Sequence, residues 1–247
     1  MNQGPPLRGK VVLVTGAGRR VGRAIALAMG ADGGQVAVHF NGSAEGALES
    51  VRAIQQAGGD AAPFAADLTD PQSPTGLVDA VMLAFGRLDV LVNSAASMVR
   101  TPLESVTTDQ WDEIFALNVR APFFLSLAAA KVMGDAGGVI VNISDHMAFE
   151  SWPAFVPHGV SKAAVAAMTH ALAAALAPRV RVNAVAPGAV LAPDGWPRAE
   201  RERYESATPL RRVGTPEDVA RAVSYLVASD YVTGEVLFVD GGRHGAR

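Results

Sequence analysis

The chain has 247 residues and is 49% hydrophobic, enough apolar material for one sizeable α/β core and no compositional reason to divide it. Its net charge of −3 supplies no basic field, so no nucleic-acid partner is expected, and without cysteine it has no disulfide, thiolate nucleophile or cysteine metal site; no metal is expected. No uninterrupted apolar run has the ~20 residues of a membrane span and residues 1–10 lack a signal-peptide pattern, so the expectation is a cytoplasmic protein with no membrane partner.

Residues 11–15 read as a first strand. Thr15-Gly16-Ala17-Gly18-Arg19-Arg20-Val21-Gly22 then turns that strand into an Ala-rich helix over 20–31. A strand that enters a helix through glycines leaves backbone N–H groups and the positive end of the helix dipole facing outward. That is a place for a dinucleotide pyrophosphate, which makes a nicotinamide cofactor the leading expectation. The second strand, 35–40, ends in His39, Phe40 and Asn41, with no acid to bond an adenosine ribose. Arg19 and Arg20 in the glycine loop and Ser43 just after the strand offer donors for a 2′-phosphate, so NADPH (NADP) is expected rather than NADH.

Further apolar runs at 61–66, 88–93, 138–143, 179–186 and 235–239 alternate with helical patterns over 43–57, 71–85, 108–133, 160–176 and 216–228. Strand and helix in alternation, joined by right-handed crossovers, predict an α/β Rossmann fold: one domain over 1–247 with a doubly wound, seven-stranded parallel sheet. Residues 1–8 are expected to be a flexible terminus. The stretch 192–208 reads as an irregular insertion that could close over the substrate as a lid. Thr215-Pro216-Glu217-Asp218 reads as a helix start, with a hydroxyl cap, proline in the first turn and acids at the positive dipole end.

With these motifs in order, the chain resembles the short-chain dehydrogenase/reductase family over nearly its whole length. The glycine loop resembles the family's TGxxxGxG, Ala66-Asp67-Leu68 its adenine-contacting acid, and Asn93-Ser94-Ala95-Ala96 its NNAG element. Asn118-Val119, Val141 to Ser144, Ser161 to Ala164, Arg181 to Gly188 and Val232 to Gly242 continue the match. The resemblance implies cofactor contacts from Gly16, Gly18, Arg19, Arg20, Val21, Gly22, His39, Phe40, Asn41, Ser43, Asp67, Leu68, Asn93, Ala95, Lys162, Pro187, Gly188 and Val190. Arg20, where the family has glycine, and the stretch from His39 to Ala44 are similar to the pteridine reductase branch.

The family's catalytic Asn, Ser, Tyr and Lys fall on Asn118, Asp145, His158 and Lys162, so the chain departs from the pattern twice. Aspartate at the serine position is again similar to pteridine reductases; histidine at the tyrosine position is not. Imidazole needs less tuning than phenol to exchange a proton near neutrality, with reference values of ~6.5 against ~10. The implied reaction is hydride transfer from NADPH to a carbonyl or imine carbon, protonated by His158 or through Asp145, with His146 an alternative acid. His158 could instead be a helix-start cap, and the protein a dinucleotide binder with little chemistry. Met98, in place of an aromatic ring, weakens the case for a pterin, while Phe149, Trp152, Phe155 and Trp196 suggest an apolar pocket for a small-molecule substrate. By resemblance, the Ala- and Leu-rich segments 108–133 and 160–176 imply a homotetramer.

Overall fold

The first and fourth strands read VVLV and VLVN, and every one of their residues is buried. Strands without polar alternation must be covered on both faces, which a parallel sheet with helices above and below provides. The computed structural model describes residues 6–190 and 197–245. Its seven strands are β1 (Val11–Val14), β2 (Gln35–Phe40), β3 (Asp60–Ala65), β4 (Val90–Asn93), β5 (Gly138–Ile143), β6 (Val180–Pro187) and β7 (Val236–Val239). They form one parallel sheet in the order β3-β2-β1-β4-β5-β6-β7.

The helices are α1 (Arg20–Ala31), α2 (Ala44–Gln56), α3 (Ser73–Phe85), α4 (Thr108–Phe115), α5 (Ala121–Met133), α6 (Val156–Leu176), α7 (Arg198–Ser206) and α8 (Pro216–Ala228). One face of the sheet is covered by α1, α2 and α8 through Ile25, Met29, Ile54, Val223 and Leu226. The other is covered by α3, α5 and α6 through Leu77, Val81, Leu125, Met133 and Leu172. Because successive crossovers run in opposite directions from β1, a crevice opens between the carboxyl ends of β1 and β4.

Four expectations need correction. Residues 1–5 lie outside the described residues, but Leu7 within the expected flexible terminus is buried and bonds Asp32 O through its N–H at 2.9 Å. Of the expected lid, 192–196 (with Trp196) lies outside the described residues, while most of the remainder is the regular helix α7, held by Arg198–Glu202 and Arg201–Glu205 pairs one turn apart. The helix expected over 108–133 is interrupted by a wide π-helical turn, Ala116–Arg120. Pro122 has no N–H to return to Asn118 O, so the ladder shifts there and Ala121 N–H bonds Ala116 O instead. Lastly, Thr108–Ala136 and Pro153–Leu176 are long and apolar enough to cross a membrane by length and composition. In this fold both belong to the cover of the sheet, where Leu125, Ala129 and Leu172 pack.

Arg181 on β6 ties the far edge together. Its guanidinium donates to Leu226 O (3.0 Å), Val227 O (2.9 Å) and Val232 O (2.8 Å), closing the carboxyl end of α8 where no side chain of that helix does. Replacing Arg181 by Ala leaves these carbonyls without their donor, and urea unfolding should show a loss of about 2 kcal/mol. Lysine, which cannot fork, should recover only part of it.

Candidate active site

The glycine loop is built by close approach. Gly16 holds φ +66°, and a Cβ on Gly22 would stand 2.3 Å from Gly16 O, so this turn into α1 admits no side chain there. A Cβ on Gly18 would be 3.1 Å from Ser43 Cβ, which places the start of α2 against the loop. Neither Arg19, the N-cap of α1, nor Ser43, the N-cap of α2, uses its side chain to cap, and α1 has no acid in its first turn. Two helix N-termini with open N–H groups therefore meet beside the exposed side chains of Arg19, Arg20 and Asn41. Thr15 Oγ1 accepts from Ser94 N–H (2.9 Å) and Ala95 N–H (3.0 Å), bridging the ends of β1 and β4 at the crevice. This is a cradle that fits a dinucleotide.

His39 lies beneath the loop. Its Nδ1 accepts from Gly16 N–H at 3.1 Å, and Nε2 faces Ala66 O at 3.1 Å, so the neutral ring with hydrogen on Nε2 satisfies both. Burial pushes its pKa below the ordinary 6.5, against the Ala66 carbonyl. The ring thus holds the loop from below. Other expected contacts also turn inward: Leu68 and Val190 are core side chains, and Asn93 Nδ2 donates to Asn142 Oδ1 (2.9 Å) and Ser126 Oγ (3.2 Å). Asp67 stays exposed, its Oδ1 accepting from Thr69 N–H and Oγ1, which hold the carboxyl below its usual range. Val21, Phe40 and Ala95 are half-buried at the ends of their elements. Pro187 and Gly188 end β6 at the same edge, with Gly188 N–H bonded to Val239 O at 3.0 Å.

Asn118, Asp145, His158 and Lys162 come together. Asn118, in the wide turn after α4, brackets Ser97 through Oδ1 to its N–H (2.8 Å) and Nδ2 to its carbonyl (2.9 Å), and Nδ2 also reaches Ser161 Oγ (2.9 Å). Because α6 starts at Val156, with Pro157 in the first turn, His158 lies inside the helix and one turn before Lys162 on the same face. His158 is 2% exposed. Its Nδ1 faces Ser97 O at 3.0 Å, with the Asn118 Nδ2 donor at 3.5 Å, and its Nε2 faces Asp145 Oδ2 at 3.5 Å; donation to both oxygens takes the ring with hydrogen on each nitrogen. Lys162 Nζ donates to Ile143 O at 2.7 Å; burial, opposed by Asp145, pulls it down to about 8.

Burial pushes the Asp145 carboxyl upward, but hydrogen bonds from His146 and His158, the charge on His146 and the Met147 N–H outweigh it, and the group stays well below the carboxylate range. His146 Nδ1 lies 3.1 Å from both Asp145 Oδ1 and Pro187 O. Burial lowers its pKa, yet Asp145, the Pro187 carbonyl and Glu150 raise it on balance. Two contributors lie outside the expected site residues: the Ser97 carbonyl, which orients both Asn118 and His158, and Ser161, which belongs to the Ser161 to Ala164 match and whose hydroxyl accepts from Asn118.

The sequence profile of a family described as enoyl-(acyl carrier protein) reductase matches residues 16–244. A 3β-hydroxysteroid dehydrogenase of Eggerthella lenta is 39% identical over 248 residues, covering 96% of this chain and 94% of its own length. The chain belongs to the short-chain dehydrogenase/reductase family. Within that family, a versicolorin reductase of Emericella nidulans is 36% identical over 253 residues, with 96% of each chain covered. The crystal structure of the angucycline C-6 ketoreductase LanV with bound NADP superposes with a TM-score of 0.91 at 33% identity, covering 98% of both chains. A short-chain dehydrogenase/reductase uses a nicotinamide cofactor, and the glycine cradle of this one fits it.

The lowered pKa of His39 has a thermodynamic sign. Below 6.5 the unfolded chain binds the proton that the folded ring resists, so this contribution to stability is complete above 6.5 and is lost as pH falls toward the folded value. Urea unfolding between pH 8 and pH 5 should show a steeper acid loss for the native chain than for His39→Gln.

Proposed function

We propose that this short-chain dehydrogenase/reductase reduces a carbonyl or imine on a flat, fused-ring substrate at the expense of NADPH, with His158 standing where the family has tyrosine. The observation that carries the proposal is the His158 ring, between the Ser97 carbonyl and the Asp145 carboxylate and one turn from Lys162. When bound, the reduced nicotinamide supplies the hydride. His158 gives the proton on Nε2 to the substrate oxygen or nitrogen as negative charge develops there, and Asp145 then faces a neutral ring that solvent must recharge. Asp145 acts as a fixed anion that orients the ring, since its carboxyl is held ionised. Lys162, buried and close by, adds positive potential and a donor for the nicotinamide ribose. Asn118 keeps the Ser97 carbonyl in place and so fixes Nδ1 of the histidine.

The preference for NADPH rests on a corner without a carboxylate, where Arg19, Arg20, Asn41 and the uncapped Ser43 hydroxyl are available to a 2′-phosphate. The pteridine-reductase-like features are Arg20, the stretch from His39 to Ala44 and Asp145. The fused-ring class draws on the steroid, versicolorin and angucycline activities named for the relatives, and on the aromatic residues Phe149, Trp152 and Phe155 that follow β5. The half-exposed Trp111, Phe123, Phe124 and Leu127 on α4 and α5 fit a second copy of the chain, in keeping with a homotetramer, which sedimentation would test.

His158→Phe should lower kcat for NADPH-dependent reduction of 2-tetralone by about 10²–10⁴, the usual worth of a positioned acid, with NADPH binding retained. A variant with undiminished kcat would overturn the assignment. Asn41→Asp should place a carboxylate in the phosphate corner and move the NADPH-to-NADH ratio of Kd values toward NADH by about tenfold or more, read by fluorescence titration.

A further inference from the structure

Among the described residues, four buried side-chain polar atoms have no hydrogen-bond partner: Asn93 Oδ1, Thr101 Oγ1, His146 Nε2 and Trp152 Nε1. Three of the four meet at one turn. Trp152 opens the single helical turn Pro153–Phe155; His146 packs edge-on against the Trp152 ring at 5.7 Å between centroids; Thr101 N–H bonds Ala154 O at 2.8 Å. Leaving a buried polar group unpaired is costly, so three such groups around one turn call for a common partner.

The His146 ring shows where that partner belongs. Its Nδ1 is committed to Asp145 and Pro187, which leaves Nε2, the other ring nitrogen, for a different partner, in a ring that stands perpendicular to Trp152. His146 is 4% exposed and Thr101 1% exposed, so neither group is served by bulk water. The indole Nε1 donates in every state, the Thr101 hydroxyl donates or accepts, and the imidazole paired with Asp145 carries hydrogen on Nε2 in its charged form. The set is rich in donors and lies one residue along the chain from Asp145.

Resting on the proposed reduction of a fused-ring ketone, we propose that His146, Trp152 and Thr101 form a specificity subsite that binds a second, hydrogen-bond-accepting oxygen of the substrate, a hydroxyl or quinone-type carbonyl apart from the one reduced. The apolar ring system lies along Phe149 and Trp152, and the second oxygen enters the polar notch. A substrate without it leaves the donors unpaired, which is how such a site rejects a deoxy analogue.

The test uses binding and needs no turnover. Calorimetry on the NADP⁺ complex compares 2-tetralone with its 5-, 6-, 7- and 8-hydroxy isomers. At least one isomer should bind about tenfold or more tighter than the parent, the scale of one to two buried hydrogen bonds. That gain should shrink to less than threefold in Trp152→Phe and in Thr101→Val, two independent changes that leave the partners of Asp145 in place. No tightening with any isomer, whether all bind alike or none binds, overturns the subsite. So does a gain that survives both variants, or a crystal structure of the complex in which an ordered water alone joins His146 Nε2 and Trp152 Nε1. NADPH oxidation with the same ketones is read separately: binding gain without oxidation sinks the reductase proposal and leaves the subsite, and oxidation without binding gain does the reverse.

Discussion

The relative register of β5 and α6 sets the geometry of everything at the site. Four consecutive residues at the end of β5 each make a polar contact with this one helix. Asn142 Nδ2 donates to Thr169 Oγ1 at 2.9 Å, Ile143 O accepts from Lys162 Nζ at 2.7 Å, Ser144 Oγ donates to Lys162 O at 2.9 Å, and Asp145 faces His158. A one-residue slip of a strand exchanges its two faces and would break all four together. Each bond adds only about 1 kcal/mol net, so their joint effect is to specify one alignment more than to stabilise it. Apolar packing alone would tolerate several.

That alignment brings two buried imidazoles against a carboxylate only 20% exposed, and burial of this kind favours the protonated form of an isolated carboxyl. Asp145 escapes because the donors come from two directions that the fold makes independent. His146 follows it directly in the chain and is anchored to the end of β6 by the Pro187 carbonyl, whereas His158 arrives on α6. The carboxylate is therefore a joint between the ends of β5 and β6 and the start of α6. A group placed between two such partners can orient a ring without itself exchanging protons.

Much of this was legible in residue order. The seven strands and the alternation of elements follow from apolar runs, and the spacing of His158 and Lys162 by four places both on one helical face once the helix starts early enough. Pro157 was the sign of that earlier start, since proline is accommodated in a first turn. The wide turn at Asn118 had a sign in Pro122, but the pattern of apolar residues across 108–133 stays helical through it, and periodicity does not register one extra residue in a turn. The membrane-length apolar helices were missed for a related reason. Arg120 and Lys131 in one segment, and His158, Lys162 and His170 in the other, break each apolar run without reversing the longer trend. What sequence could not supply was direction. His39, Asn93 and Ser97 act through which way a side chain or carbonyl turns, and a motif fixes position only.

His39 also bears on cofactor choice. Residues at the end of β2 meet the adenosine ribose in a fold of this kind, and alternate side chains there point to opposite faces of the sheet. With His39 turned to Gly16 and Ala66, its ring is committed to the loop and withdrawn from the phosphate corner. The polar side chains left around the corner are Asn41, Ser43 and the two arginines, from the glycine loop and the start of α2. The loop must be held in place for those groups to converge, and the buried neutral imidazole holds it. One histidine thus sets the shape of the corner around which those side chains gather.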